Sequence, residues 1–320
     1  MELISNCTQD VIKRAAKALK DGHLVAFPTE TVYGLGADAT NKKAVNQIYS
    51  VKGRPTGHPL IVHISSVNQL DKWAIDIPEY AKKLASEFWP GPMSLILKRS
   101  SLAKDYITGG QSNVGLRVPS QPIALGILTE FENNGGLGIA APSANRFGAV
   151  SPTNAHAVNE ELGEYLGDND LIVDGGQCII GIESTIIDCT KEIPRILRPG
   201  AVTQGMVDKL DIRLKKFSLS EFEVRAPGSM ESHYSPRAKV ILNETAQIGD
   251  GFLAMSDIPT PIGAIRLASP QTVQEFAAQL YSSLRVADKQ RLKRIVILLP
   301  PDQEIGSAII DRVKKASASK

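Results

Sequence analysis

With 320 residues, 42% of them apolar and 22% charged, the chain has the composition of a folded protein and not of a disordered one, and its length points to two domains. Thirty-six lysines and arginines stand against 34 aspartates and glutamates, a net charge of +2. That excludes the strong basic excess of a dedicated nucleic-acid binder without excluding RNA. The opening MELISNCTQD carries no charged leader followed by an apolar core, and no run approaches the ~18 apolar residues a membrane span needs. Cys7, Cys178 and Cys189 have no metal-like spacing and read as free thiols in a reducing compartment, so a cytoplasmic location is expected.

Val11, Ile12, Ala15, Ala18 and Leu19 recur at helical spacing, and Asp21-Gly22 stops that helix before a strand at 24–27. Residues 28–36, PTETVYGLG, then read as a tight polar turn at a strand end, where open α/β sheets place ligands. Gly34 and Gly36 are expected to let the main chain approach a bound group. A second helix shows Ala44, Val45, Ile48 and Tyr49 on one face, followed by an irregular loop at 53–59 and a strand at 60–64. Pro78 opens a helix with Ala81, Leu84, Ala85 and Phe88 inward, and the strand Met93–Lys98 follows. Further strands are expected at 113–118, 137–141, 171–173, 182–188 and 195–198, with a helix around Ile123–Leu128. This alternation argues an α/β domain over residues 1–207. Residues 208–237 read as a linker, and strands near 240–242, 251–255 and 295–299 with a helix at 272–286 make 238–320 a second, smaller α/β domain. Residues 281–320 hold nine Lys or Arg against four Asp or Glu, which reads as a solvated basic face.

Phosphate-loop, HExxH, GxSxG and dinucleotide fingerprints are missing. Lys52, Arg54 and Arg117 are candidates for carboxylate or phosphate because each sits at a strand end or in a loop among small polar residues; a surface ion pair is the competing account. Ser143, Asn145 and Ser151 offer short donors to an anion, or merely bond their own turn. His63 alternates with Val62 and Ile64 on a strand, as a structural histidine also would. Residue spacing by itself stops at a polar, partly basic pocket at the strand ends.

Seven segments carry a more specific signal: PTETVYGLGADAT, KGRPTGHPLIVH, WPGPMSLIL, GLRVP, APSANRFGAVSPT, GIESTIID and LRPG. In their order and spacing the chain resembles the threonylcarbamoyl-AMP synthases, the YrdC-like proteins, over residues 8–205. APGSMESHYSP and the tail segments FAAQLYSSLR and IGSAIIDRVKKAS resemble the longer two-domain form. The resemblance implies a YrdC-like twisted open mixed sheet with helices, and a Rossmann-like α/β second domain on a long linker. It implies a nucleotidyltransferase that condenses L-threonine, bicarbonate or CO2, and ATP into threonylcarbamoyl-AMP and pyrophosphate, for modification of tRNA reading codons that begin with A. A downstream tRNA threonylcarbamoyl-transferase complex is then the acceptor, magnesium comes with ATP, tRNA or double-stranded RNA contact is open, and no membrane is involved. The family pattern places Thr31, His63, Arg117, Ala141 and Ser184 around threonine. It places Lys52, Arg54, His58, Asn113, Ser143, Asn145, Ser151 and Arg198 around ATP, with Tyr234 and His233 reaching the nucleotide from a linker that closes as a lid. Lys52, Arg54, Ser143 and Asn145 form the family's signature tetrad, with Lys52 and Arg54 as the catalytic cations. Two competing accounts are a non-catalytic double-stranded RNA-binding or ribosome-maturation protein, and the carbamoyl-phosphate-dependent transfer of hydrogenase-maturation proteins, which are larger and carry segments this chain lacks.

Overall fold

The computed structural model describes residues 1–5, 8–215, 224–228 and 234–318; Cys7 and His233 lie outside the described residues. After β1 (Glu2–Ile4), the first helix forms as α1 (Gln9–Lys20), opened by the Thr8 hydroxyl, which accepts from the Val11 amide, and burying Ala15, Ala16, Ala18 and Leu19. β2 (Val25–Phe27) is buried throughout.

The segment after β2 departs from expectation. The turn occupies only 28–33, and both glycines belong to a strand, β3 (Gly34–Asp38), which pairs antiparallel with β2. A Cβ on Gly36 would stand 2.7 Å from the Phe27 ring and 2.9 Å from the Ile139 side chain, so this glycine makes room for the protein's own core and not for a ligand. Gly34 alone of the two lines the cleft described below.

α2 (Lys42–Lys52) is capped by the Asn41 side chain and ends at Gly53, whose φ of 60° supplies the left-handed turn into the loop. Then come β4 (Ile61–His63), the single turn α3 (Leu70–Trp73), α4 (Glu79–Phe88) and β5 (Met93–Lys98). They are followed by the single turn α5 (Asp105–Thr108), β6 (Asn113–Arg117), α6 (Pro122–Asn133) and the short β7 (Ile139–Ala140). α7 (Ala155–Leu162), capped by Asn154, leads to β8 (Leu171–Val173), β9 (Thr185–Asp188), β10 (Arg195–Arg198) and α8 (Gln204–Asp208).

The ten strands form one mixed sheet in the order β1-β8-β2-β3-β7-β4-β6-β5-β9-β10. The larger core cluster gathers α2, α4 and α7 with their strands, and a second, around Phe27, Phe131 and Leu19, packs α1 and α6 on β2 and β8. The parallel β4 and β6 bring His63 directly opposite Arg117 at their carboxyl ends.

The second unit is a four-stranded parallel sheet in the order β11-β14-β12-β13, from β11 (Lys239–Leu242), β12 (Gly251–Leu253), β13 (Ile265–Ala268) and β14 (Arg294–Ile297). α9 (Val273–Lys289) and α10 (Ile305–Ser317) cover it. Its core does not close on itself. Val32, Val150 and Ile182 of the first unit lie in the same buried cluster as Phe276, Leu280, Tyr281 and Ile309.

At this seam Gly181 has φ +78°, and a Cβ there would lie 2.5 Å from the Ala278 Cα of α9. Gly181→Ala combines left-handed strain with a backbone clash and should cost more than about 1 kcal/mol of stability, read as a lowered urea midpoint. An unchanged midpoint would show that α9 backs away freely.

The tail corrects the expectation of a solvated basic face. Lys289, Arg291, Lys293 and Lys314 are exposed, but Arg312 and Lys315 are buried, Arg312 bonding Glu183 and Pro199 of the first unit and Lys315 the Gly228 carbonyl of the linker.

Candidate active site

A cleft opens where the turn after β2, the ends of β4 and β6, the loop after β7, the entry to β9 and the end of β10 converge. Pro227, Gly228 and Tyr234 close it from the linker. Of the residues assigned from sequence, Thr31, Lys52, Arg54, His63, Arg117, Ala141, Ser143, Asn145, Ser184, Arg198 and Tyr234 line this cleft together.

The basic side has a specific construction. Lys52, the last residue of α2, is fully buried and its Nζ donates to the carbonyls of Ser143 at 2.6 Å and Asn145 at 2.5 Å. It therefore fixes the loop after β7, whose Phe147 amide donates back to the Lys52 carbonyl at 2.8 Å. Arg54 lies 5.6 Å over the Phe147 ring and donates from Nη2 to the Pro59 carbonyl at 2.9 Å. Arg198 reaches the Ser184 carbonyl from Nε at 3.0 Å and from Nη2 at 2.8 Å, the Ser184 hydroxyl at 3.1 Å and the Pro227 carbonyl at 3.1 Å. Among the described residues none of these three cations is hydrogen-bonded to a carboxylate. Burial lowers Lys52 well below its ordinary value and Arg54 to about 10. Three cations crowded out of water without a bonded carboxylate are arranged for an anion.

The other side is balanced. Arg117 donates to Glu30 at 2.5 Å, to the Thr31 hydroxyl at 3.0 Å and to the Gly91 carbonyl at 3.3 Å. His63 stands beside it, with its ring 6.3 Å from Phe27. Buried atoms with no hydrogen-bond partner include Arg54 Nε, His63 Nδ1 and Asn145 Oδ1, and the residues bearing all three line the cleft.

Three assigned residues stand apart from the lining. His58 presents its ring edge-on behind Phe147 at 5.2 Å. Asn113 begins β6, four residues before Arg117 and opposite Lys98, which puts it roughly 13 Å along the strand. Ser151 is fully buried and donates to Glu183 at 2.6 Å. Tyr234 sits with φ +62°, stacked 5.7 Å from Tyr281 with Arg312 5.4 Å over its ring.

The family model for Sua5, YciO and YrdC proteins, described as telomere recombination, matches residues 17–200, and the model for the threonylcarbamoyl-AMP synthase C-terminal domain matches residues 190–318. The chain belongs to the Sua5/YciO/YrdC family. A threonylcarbamoyl-AMP synthase of Pyrococcus abyssi is 39% identical over 96% of this chain and 94% of its own length. That of Bacillus subtilis is 38% identical over 100% and 96%. The crystal structure of P. abyssi Sua5 complexed with L-threonine superposes with a TM-score of 0.89 at 36% identity, covering 99% of this chain and 97% of that one. The mixed sheet with a separate small parallel sheet is thus the fold of this Sua5/YciO/YrdC member, as the sequence resemblance implied.

Sequence reasoning missed Phe147 and Glu183 in the cleft. Glu183 stands inside the quoted GIESTIID segment, where a carboxylate before a run of apolar strand residues was the available signal. Tyr281 and Arg312, which bond it, lie 98 and 129 residues away and gave none.

Two buried groups set how this family member responds to acid. Burial, with the Arg117 charge beside it, moves His63 from 6.5 down to about 3. Burial alone would raise Glu183, but the charges of Arg312 and Arg198 and the hydrogen bonds from Ser151 and Arg312 outweigh it and hold the carboxyl at about 2, below its ordinary 4.5. In both cases the folded state binds fewer protons than the unfolded one. The stability involved is present above 6.5 for His63 and above 4.5 for Glu183, and is lost as pH falls from there toward 3 and 2. Urea midpoints should therefore decline on acidification from near pH 6.5, and His63→Gln should flatten the upper part of that decline. A midpoint that stays level down to pH 5 in the unsubstituted chain would contradict it.

Proposed function

We propose that the chain is an L-threonylcarbamoyladenylate synthase, which joins L-threonine, bicarbonate or CO2, and ATP into threonylcarbamoyl-AMP with release of pyrophosphate. The observation that carries this is the division of one cleft into two halves. Lys52, Arg54 and Arg198 are buried without a bonded carboxylate, while Arg117 is balanced by Glu30 beside Thr31 and His63. The first half suits a triphosphate, the second a zwitterionic amino acid, and the relatives' names and the threonine complex of the P. abyssi protein support that division.

The reaction is mostly positioning and electrostatics. The threonine amine adds to CO2 and loses a proton, giving a carbamate anion. A carbamate oxygen attacks the α-phosphorus of ATP, the bond to the β-phosphate oxygen breaks, and pyrophosphate leaves with that electron pair. The nucleophile is already an anion, so adenylation needs no general base. Charge growing on the α-phosphate oxygens is met by Lys52 and Arg54, fixed in place before substrate arrives by the Ser143, Asn145 and Pro59 carbonyls. Arg117 takes the threonine carboxylate, and neutral His63 offers its free Nδ1 beside it.

Magnesium enters as the counter-ion of ATP. Among the described residues no cluster of three His, Cys, Asp or Glu could hold a metal, and the carboxylate of the cleft, Glu183, and that of Glu30 behind Arg117 are already bonded to guanidinium groups. Bound in this way, the ion would take its oxygen ligands from the phosphates and water and would supply charge neutralisation there. Pro227, Gly228 and Tyr234 exclude water from the labile product. The product passes to the tRNA threonylcarbamoyl-transferase complex in the cytoplasm, where ATP and tRNA meet.

Pyrophosphate release by the purified chain, with threonine and bicarbonate each omitted in turn, tests this. Release that needs both supports the synthase. ATP left intact with both present, together with salt-sensitive binding of double-stranded RNA, would replace it with the RNA-binding account.

A further inference from the structure

The second unit reaches into the cleft through one carboxylate. Glu183 is buried, and its Oε1 accepts the Ser151 hydroxyl at 2.6 Å. Its Oε2 accepts the Tyr281 hydroxyl of α9 at 2.9 Å and Arg312 Nε of α10 at 2.9 Å. The next residue, Ser184, holds Arg198 by its carbonyl and hydroxyl. A buried carboxylate and a buried guanidinium thus stand on either side of a single residue, within electrostatic reach, and do not pair.

That separation calls for a cause, because a carboxylate and an arginine out of water attract strongly and pair readily in a bidentate fork. Arg117, on the other side of the cleft, shows the alternative outcome: Glu30 bonds it directly. What differs at Glu183 is the pair of donors on its far side. Arg312 is itself fully buried and additionally balanced by Asp311 at 2.6 Å, so α10 brings a cation already fixed in place. Arg312 Nη2 also donates to the Pro199 carbonyl at 2.9 Å, beside Arg198 in sequence, which sets its distance from the cleft wall.

We propose that Tyr281 and Arg312 are positioning residues for the reaction: by holding the Glu183 carboxylate they keep it off Arg198 and leave that guanidinium without a bonded carboxylate, open to a phosphate oxygen of ATP. This rests on the synthase reading and gives the second unit a part in nucleotide binding. Arg312 and Tyr281 touch no substrate; they act through Glu183. When Arg312 is lost, the carboxylate turns to Arg198 and competes with ATP.

The test is a double-substitution cycle on the full chain. Pyrophosphate release is followed as a function of ATP and, separately, of threonine, in Arg312→Met, Glu183→Gln and the combination. Arg312→Met should raise the KM for ATP by about tenfold or more and leave that for threonine within about twofold. In the Glu183→Gln background, where no charge remains to compete, Arg312→Met should shift the ATP KM little. A structural role alone predicts the reverse, a loss in both KM values that the second substitution does not relieve. Tyr281→Phe, which removes one hydroxyl, serves where Arg312→Met fails to fold; it should raise the ATP KM about fivefold, and only with Glu183 present. An unchanged ATP KM in these single variants, or an equal rise in both backgrounds, overturns the inference while leaving the synthase intact. If the unsubstituted chain releases no pyrophosphate, the synthase reading fails; ATP affinity by titration calorimetry in the same variants then decides the inference, with the same pattern supporting it and any other overturning it.

Discussion

Arg54→Ala should lower the rate of pyrophosphate release a hundredfold or more, the usual cost of about 3 kcal/mol for removing one fixed donor from a developing anion. It should do so without unfolding the protein. Arg54 is 8% exposed and burial depresses it to about 10; among the described residues its Nε has no partner, and one hydrogen bond to the Pro59 carbonyl is its only contact of that kind. A cation held in this way lowers stability in the absence of its ligand. The alanine variant is therefore expected to melt at the same temperature as the parent or a little higher, so that activity and stability move in opposite directions. A variant that loses both would show Arg54 to be a structural residue, and one that keeps its activity would remove it from the site.

Glu183→Ala should have its main effect on stability, a loss of about 3 kcal/mol or more in urea unfolding at neutral pH. The substitution leaves the Ser151 hydroxyl, the Tyr281 hydroxyl and Arg312 Nε without their acceptor in a region closed to water. Arg312 keeps Asp311, which holds the cost toward the lower end of that range. Because the three donors come from the loop after β7, from α9 and from α10, the loss should appear at once in probes placed in either unit. A loss below about 1 kcal/mol would mean that water enters and replaces the carboxylate.

How much of this was readable beforehand depended on how far apart the partners lie. Apolar runs closed by Pro or Gly marked β2, β5, β8 and β10 within a residue or so, because a buried strand needs only its own side chains to declare itself. β3 was concealed by its glycines, which ordinarily signal turns but here serve close packing against Phe27 and Ile139. α7 was concealed too, since AHAVNEEL follows a loop of Ser, Pro and Asn and its cap at Asn154 looks like one more turn residue. At the site, residue types alone stopped at a basic pocket, and its division between ATP and threonine came from family resemblance. What neither could supply is the contrast among arginines. Arg54, Arg117 and Arg198 look alike as letters; Arg117 is neutralised by a glutamate 87 positions away, and the others are not.

The shared cluster of Val32, Val150 and Ile182 with α9 and α10 bears on how such a protein can change over generations. A gene split near residue 207 would give each product an apolar face that its own sequence cannot cover, and would strand Glu183 from Arg312. Losing or acquiring the second unit therefore cannot be a single genetic event without penalty. It requires compensating replacements at the seam, and a lineage that keeps the three apolar residues and the glutamate has kept the partner they were shaped for.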